Sequence, residues 1–172
     1  MAKPGFSRQL ASVLILPFNV LLIIPSLLFL RCRDRRMAQF VPAAALPFTR
    51  GLGGLLVLAG LPMLAWTIGE FGRSGQGTLA PWDPTQKLVV RGPYRHVRNP
   101  MISAVMAILF GQALLFNSLC HLAWATFFSL GNMFYIPRSE EPGLERRFGD
   151  DYRRYKQHVP RWLPRLRPWN LE

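Results

Sequence analysis

Charged residues avoid three long stretches of this chain. No Asp, Glu, Lys or Arg occurs from Gln9 to Leu30, from Gly51 to Gly69, or from Met101 to Pro137. A helix needs roughly 20 apolar residues to cross the hydrocarbon core of a bilayer, so each of the first two stretches fits one crossing. As a single helix the third would be about 55 Å long at ~1.5 Å per residue. The core is only about 30 Å thick, so the pattern predicts a helical hairpin. Asn117-Ser118 is its natural turn, because both residues bond locally to backbone and weaken helix interiors. The expectation is an all-α, polytopic membrane protein with spans at about 10–30, 51–70, 101–116 and 119–137. Pro17 and Pro25 should kink the first span, and Gly51, Gly53, Gly54 and Gly60 should let the second pack closely.

Beyond the fourth span the period stays helical but the polarity changes. Ser139 reads as a cap, Glu140 and Glu141 suit a first turn, and Pro142 is tolerated there. Leu144, Phe148, Tyr152, Tyr155 and Val159 then recur at helical spacing among charged residues. This predicts an amphipathic C-terminal helix at the membrane interface. Prolines 160, 164 and 168 alternate with arginines and tryptophans in the tail. They predict an extended anchoring strap with no chemistry of its own.

The 172 residues fit a single domain, 1–172. Half are hydrophobic and 17% charged, against about a quarter charged in soluble domains. That excludes disorder and leans towards membrane. Two cysteines exclude a disulfide-rich scaffold; Cys32, beside the first span, is a candidate for lipidation or is inert. A net charge of +12 calls for an anionic partner. The charges decorate helix ends and connections and no nucleic-acid-binding motif is present, so membrane lipids are the expected partner and nucleic acid is not. His96, His121 and His158 lie in separate segments without paired ligands, so no metal site is expected. Spans without acids or bases argue against an ion pump.

Orientation is read from the basic residues. Lys3, Arg8, Arg73, Lys87, Arg91, Arg95, Arg98 and the basic tail share one side, which should face the cytoplasm. Arg31, Arg33, Arg35, Arg36 and Arg50 fall on the other and oppose that assignment. Lys3 and Arg8 precede a long apolar run without a small-residue cleavage site, which reads as an uncleaved span.

Two places carry candidate chemistry. In Asn99-Pro100, Asn is a preferred N-cap and Pro a preferred first helical residue. The third span should therefore present free N–H groups and a positive helix end beside Arg95 and Arg98, suited to a carboxylate or phosphate. Glu140 and Glu141 stand next to Arg138 just past the fourth span, where unpaired acids are costly. The glycines at 72, 75 and 77 lack the Gly-Lys-Ser/Thr ending of a phosphate loop.

The blocks KLVVRGPYRHVRNPMI and EEPGLERRFGDDYRRYKQHVPRWLP, about forty residues apart, together resemble the isoprenylcysteine carboxyl methyltransferase family. That family is itself similar to phospholipid N-methyltransferases, and the upstream GTLAPWDP is similar to its bacterial members. The resemblance covers about residues 71–164. It implies a small all-helical membrane protein, of the bacterial inner membrane, that transfers methyl groups from S-adenosylmethionine. The site segments would be about 86–102 and 138–155. It places cofactor contacts at Leu88, Val89, Tyr94, Asn99, Pro100, Met101, Ile102 and Glu140, and Arg98 joins them from the chemistry of the helix end. Asn99 stands where many relatives carry His. Arg138 and Glu141 are the candidate catalytic residues: Arg138 would orient a carboxylate acceptor and Glu141 would serve an amine. The primary expectation is methylation of a lipophilic carboxylate. The alternatives are methylation of a phospholipid or other amine, and a non-catalytic protein that binds a lipid or partner.

Overall fold

The computed structural model describes residues 14–32, 41–74 and 87–170. A π-helical segment, Leu14–Ile23, runs into α1, Ile24–Arg31. A 3-10 turn, Ala43–Ala45, leads into α2, Leu46–Ser74. A second, Gly92–Arg95, precedes the hairpin of α3, Pro100–Phe116, and α4, Leu119–Tyr135. A π-helical turn, Ile136–Glu140, joins α4 to α5, Glu141–His158. The described residues form no sheet, and their regular structure is all-helical, as expected. The expected span residues 10–13, the cations Lys3, Arg8, Arg33, Arg35 and Arg36, and the glycines at 75 and 77 lie outside the described residues.

Helices cover the described residues of all four apolar stretches, but among the described residues one alone, Leu46–Glu70, is long and apolar enough by itself to cross a membrane. The helices Pro17–Arg31 and Pro100–Phe116 are apolar but shorter. Large apolar side chains face outward along α2 and α4, with Leu55 at 65%, Leu58 at 70% and Phe127 at 69% exposure. Water gives no reason for that arrangement; a surrounding hydrocarbon does.

Glycine brings α2 and α3 together over the broadest helix interface in the chain. A Cβ on Gly53 would lie 2.7 Å from the Gly111 carbonyl oxygen, and one on Gly111 would lie 2.8 Å from the Gly53 carbonyl oxygen. Such reciprocal backbone approach suits helix packing in lipid, where van der Waals contact replaces the hydrophobic effect. The α3–α4 hairpin turns at Asn117-Ser118, as expected. Asn117 adopts the left-handed conformation at φ 49°, which asparagine tolerates. Ser118 caps α4 by accepting from the His121 backbone N–H and lies 2.9 Å from the His121 ring.

Pro25 has no N–H and so frees backbone acceptors one turn earlier. The Leu21 carbonyl accepts from Gln112 Nε2 at 2.9 Å, and the Val20 carbonyl accepts from Trp124 Nε1 at 3.2 Å. Polar side chains of α3 and α4 thus hold the first helix where proline disrupts it. A disulfide joins Cys32 at the end of α1 to Cys120 at the start of α4. The expectation of a free or lipidated Cys32 is corrected by this pairing: the partner is 88 residues away, and nothing in the spacing announces it.

The helix expected to begin at a Ser139 cap begins differently. No cap hydrogen bond forms, and helix continues from α4 through the π turn into α5. Pro137 and Pro142 each lack the N–H of a regular ladder. Between them the Glu141 N–H donates to the Ile136 carbonyl, five residues back. The helix is also not uniform, because Gly149 adopts φ 54°, ψ −126° and kinks it. That conformation is essentially reserved for glycine.

Candidate active site

The site is built where the segment before α3, the start of α5 and the C-terminal strap meet. Leu88 and Val90 pack on a cluster of Tyr152, Tyr155 and Val159, with Trp169 beside it. Tyr155 donates its hydroxyl to the Tyr94 carbonyl at 2.7 Å. The strap then runs antiparallel to residues 95–99. Arg98 N–H donates to the Pro160 carbonyl at 2.9 Å, Arg165 N–H to the His96 carbonyl at 2.9 Å, and Trp169 N–H to the Arg95 carbonyl at 3.1 Å. His96 Nδ1 lies 2.8 Å from the Arg165 carbonyl, so it carries the proton. The buried backbone of an irregular segment needs such partners.

Glu141 is the hub. It is 2% exposed, and its Oε1 lies 2.9 Å from Arg98 Nη1. Arg161 grips it with a two-bond fork, Nε to Oε1 at 2.7 Å and Nη2 to Oε2 at 2.8 Å. Lys156 Nζ approaches Oε2 at 4.0 Å. Two arginines thus hold one buried carboxylate, while Lys156 stands closer to Glu145 Oε2, at 3.6 Å. The hydrogen bond to Glu141 raises the Arg161 pKa further above its ordinary value. Burial and the Glu141 charge push the Tyr152 hydroxyl up to about 12.

Glu140 is exposed and takes part in no ion pair among the described residues. The protein crowded around its carboxyl, with Glu141 adjoining, still raises its pKa above the ordinary carboxylate value. Burial, and then the Glu140 charge, raise the Tyr94 hydroxyl well beyond the usual phenol range.

Pro100 occupies the first turn of α3 as expected, but Asn99 does not cap it. Its side-chain amide points to the Arg161 carbonyl at 3.4 Å instead. The first backbone bond of the helix is Ser103 N–H to the Asn99 carbonyl, which leaves the N–H groups of Met101 and Ile102 without helical acceptors. Arg98 stands beside them, with 9% of its side chain exposed and its buried Nε without a hydrogen-bond partner.

The structure thus gathers Leu88, Val89, Tyr94, Arg98, Asn99, Pro100, Met101, Ile102, Glu140 and Glu141 at one end of the α2–α4 bundle. Arg138 lies apart on the exposed lip, its guanidinium 5.1 Å from the centre of the Phe134 ring. Sequence reasoning missed Arg161, Tyr155 and Trp169. The strap's excess of arginine over acid was the one signal available for Arg161.

These features define a helical membrane-type protein with a polar, arginine-containing cluster at one end of its bundle. The chain belongs to the phospholipid methyltransferase family, whose sequence model matches residues 48–151. It is also similar to a protein of Haemophilus influenzae (strain ATCC 51907 / DSM 11121 / KW20 / Rd) described as an uncharacterized protein. The two are 47% identical over 62 residues, which span 36% of this chain and 97% of that one. No solved structure matches.

Proposed function

We propose that this chain transfers a methyl group from S-adenosylmethionine to a lipophilic acceptor at the membrane surface. The observation that carries this reading is Arg98: buried, paired with Glu141, its Nε unpartnered, beside the open N-terminus of α3. When bound, the cofactor supplies an electrophilic methyl group on a sulfonium. It also presents a carboxylate, an ammonium, ribose hydroxyls and an adenine. Arg98 and the N–H groups of Met101 and Ile102 suit the carboxylate. Glu140, in no ion pair among the described residues, suits the ammonium or hydroxyls through charge-assisted hydrogen bonds. Leu88, Val89, Tyr94 and Pro100 complete the walls. Methyl transfer is an in-line displacement, so these residues act by positioning and by excluding water.

Within this reading Glu141 is an anchor rather than a base, because arginine nitrogens take both of its oxygens. A carboxylate acceptor needs no base, and Arg138 at the lip has no acid partner among the described residues. Both observations favour an acceptor of the isoprenylcysteine carboxylate type. Methylation of a phospholipid amine is the second reading, favoured by the family's own description.

In this account all four apolar helices cross the membrane and the site faces the cytoplasm of a bacterial inner membrane. Cys32–Cys120 supports that orientation. Cys120 starts α4, so it lies at the far end of the hairpin from Arg98, about 25 Å away along a 17-residue helix. Disulfides persist in oxidising compartments, which supports the reading that the arginine-rich end lies on the opposite side. Thermal unfolding of the detergent-solubilised protein tests the cofactor reading. Millimolar S-adenosylmethionine and S-adenosylhomocysteine should each raise Tm; no shift with either would favour a non-catalytic lipid- or partner-binding protein.

A further inference from the structure

The C-terminal strap presents two opposite faces. Its backbone and Arg161 turn inward to residues 95–99 and to Glu141. Its outward face shows Leu163 at 80% and Leu166 at 96% exposure, the latter the most exposed large apolar side chain among the described residues. Arg165 and Arg167 flank Leu166, and no acid occurs from Tyr152 to Asn170. Pro160, Pro164 and Pro168 hold the segment outside regular structure, so the leucines are presented by a stiffened loop rather than a helix. The level of this loop is fixed as well. The Arg161 carbonyl meets the Asn99 amide, two residues from the start of the charge-free stretch at Met101. The strap therefore lies at the boundary where the apolar bundle ends.

We infer that residues 161–167 dock into the anionic headgroup layer of the membrane that holds the bundle, and that this docking strengthens the cofactor site. Exposed leucines between arginines at a bilayer boundary match that surface in both hydrophobicity and charge. The side-chain link to the site runs through Arg161, which fixes Glu141, as Glu141 fixes Arg98 at the helix end. An anionic surface that holds the strap in place lowers the cost of ordering Arg161, and so favours the state in which Arg98 is set for an anion. The coupling rests on the cofactor reading above, whereas the docking stands without it.

The full-length, disulfide-intact protein is reconstituted in phosphatidylcholine vesicles with and without about 30% phosphatidylglycerol, an anionic lipid. An environment-sensitive dye on L166C, quenched by nitroxide-labelled lipid, reads docking without any cofactor. S-adenosylhomocysteine binding reads the coupling. Quenching should rise with phosphatidylglycerol, and affinity should tighten by about fivefold. R167Q should weaken the lipid dependence of both, and L163S/L166S should lower the affinity gain while leaving affinity in phosphatidylcholine unchanged. An unquenched dye in both membranes, or capture of the loop by an acidic soluble protein in place of lipid, overturns the docking. Quenching with no change in affinity overturns the coupling. Quenching with no binding of S-adenosylhomocysteine in any membrane removes the cofactor reading and leaves the docking intact.

Discussion

Arg161 and Glu141 meet through two parallel hydrogen bonds of 2.7 and 2.8 Å, across twenty residues of chain and a kinked helix. The pair ties the strap to the start of α5, and Arg98 ties both to the start of α3. One buried carboxylate thus joins three segments, beside the backbone bonds between the strap and residues 95–99.

Removing that carboxylate should be costly. Glu141→Ala leaves Arg98 buried without its counter-charge, a situation worth about 3–5 kcal/mol of destabilisation. Glu145, paired with Arg153 and Lys156 at the surface, should cost no more than about 1 kcal/mol as Glu145→Ala. Thermal unfolding of the two cofactor-free variants in detergent checks this, and equal Tm values would remove Glu141 from the hub.

Glu140 should show the opposite balance of stability and binding. Its folded pKa is raised by crowding and by Glu141, so the folded protein holds its proton more tightly than the unfolded chain. Stability from this group is therefore full below the ordinary Glu value of about 4.3 and is lost as pH rises through the raised value. Glu140→Gln should raise the Tm of the cofactor-free protein at neutral pH and flatten its pH dependence around the raised value. A lower Tm for Glu140→Gln at neutral pH would contradict this.

Close backbone contact between Gly53 and Gly111 should make both intolerant of a side chain. A Cβ at either would lie under 3.0 Å from a backbone carbonyl oxygen of the facing helix, and overpacking of this kind costs about 1–3 kcal/mol. Gly53→Ala and Gly111→Ala should each lower Tm. Gly131→Ala on α4, with open space around it, should not. Parity among the three would show that α2 and α3 do not approach as described.

Much of the fold was legible because lipid leaves a strong mark. The absence of charge from 101 to 137 demanded a hairpin, and Asn117-Ser118 was its natural turn. Asn99-Pro100 announced the helix start by the chemistry of proline. The use of the Asn99 side chain was not legible, because the Arg161 carbonyl competes for it from 62 residues away. The same limit hid the Cys32–Cys120 pairing and the Arg161 fork, both of them tertiary contacts. Ser139 misled for a local reason: it looks like a cap, but the prolines at 137 and 142 widen the helix there without ending it.

Arg138 should act on the acceptor rather than the cofactor. Its guanidinium lies over Phe134, away from Glu141. If it orients a carboxylate, Arg138→Lys keeps the charge but loses the planar fork and should rescue turnover only in part. Arg138→Ala should fall further, with cofactor affinity near that of the wild type. Wild-type turnover in both variants would take Arg138 out of the site, and an amine acceptor would make its removal neutral or favourable.

The most direct measurement is transfer of a labelled methyl group from S-adenosylmethionine into a membrane lipid extract, beside S-adenosylhomocysteine affinity, for wild type, Glu140→Gln and Glu145→Gln. The account predicts a labelled lipophilic product for wild type and Glu145→Gln. For Glu140→Gln it predicts an affinity loss of about tenfold or more, the value of a charge-assisted hydrogen bond. No labelled product from the wild-type protein, or equal affinities in the two variants, would contradict it.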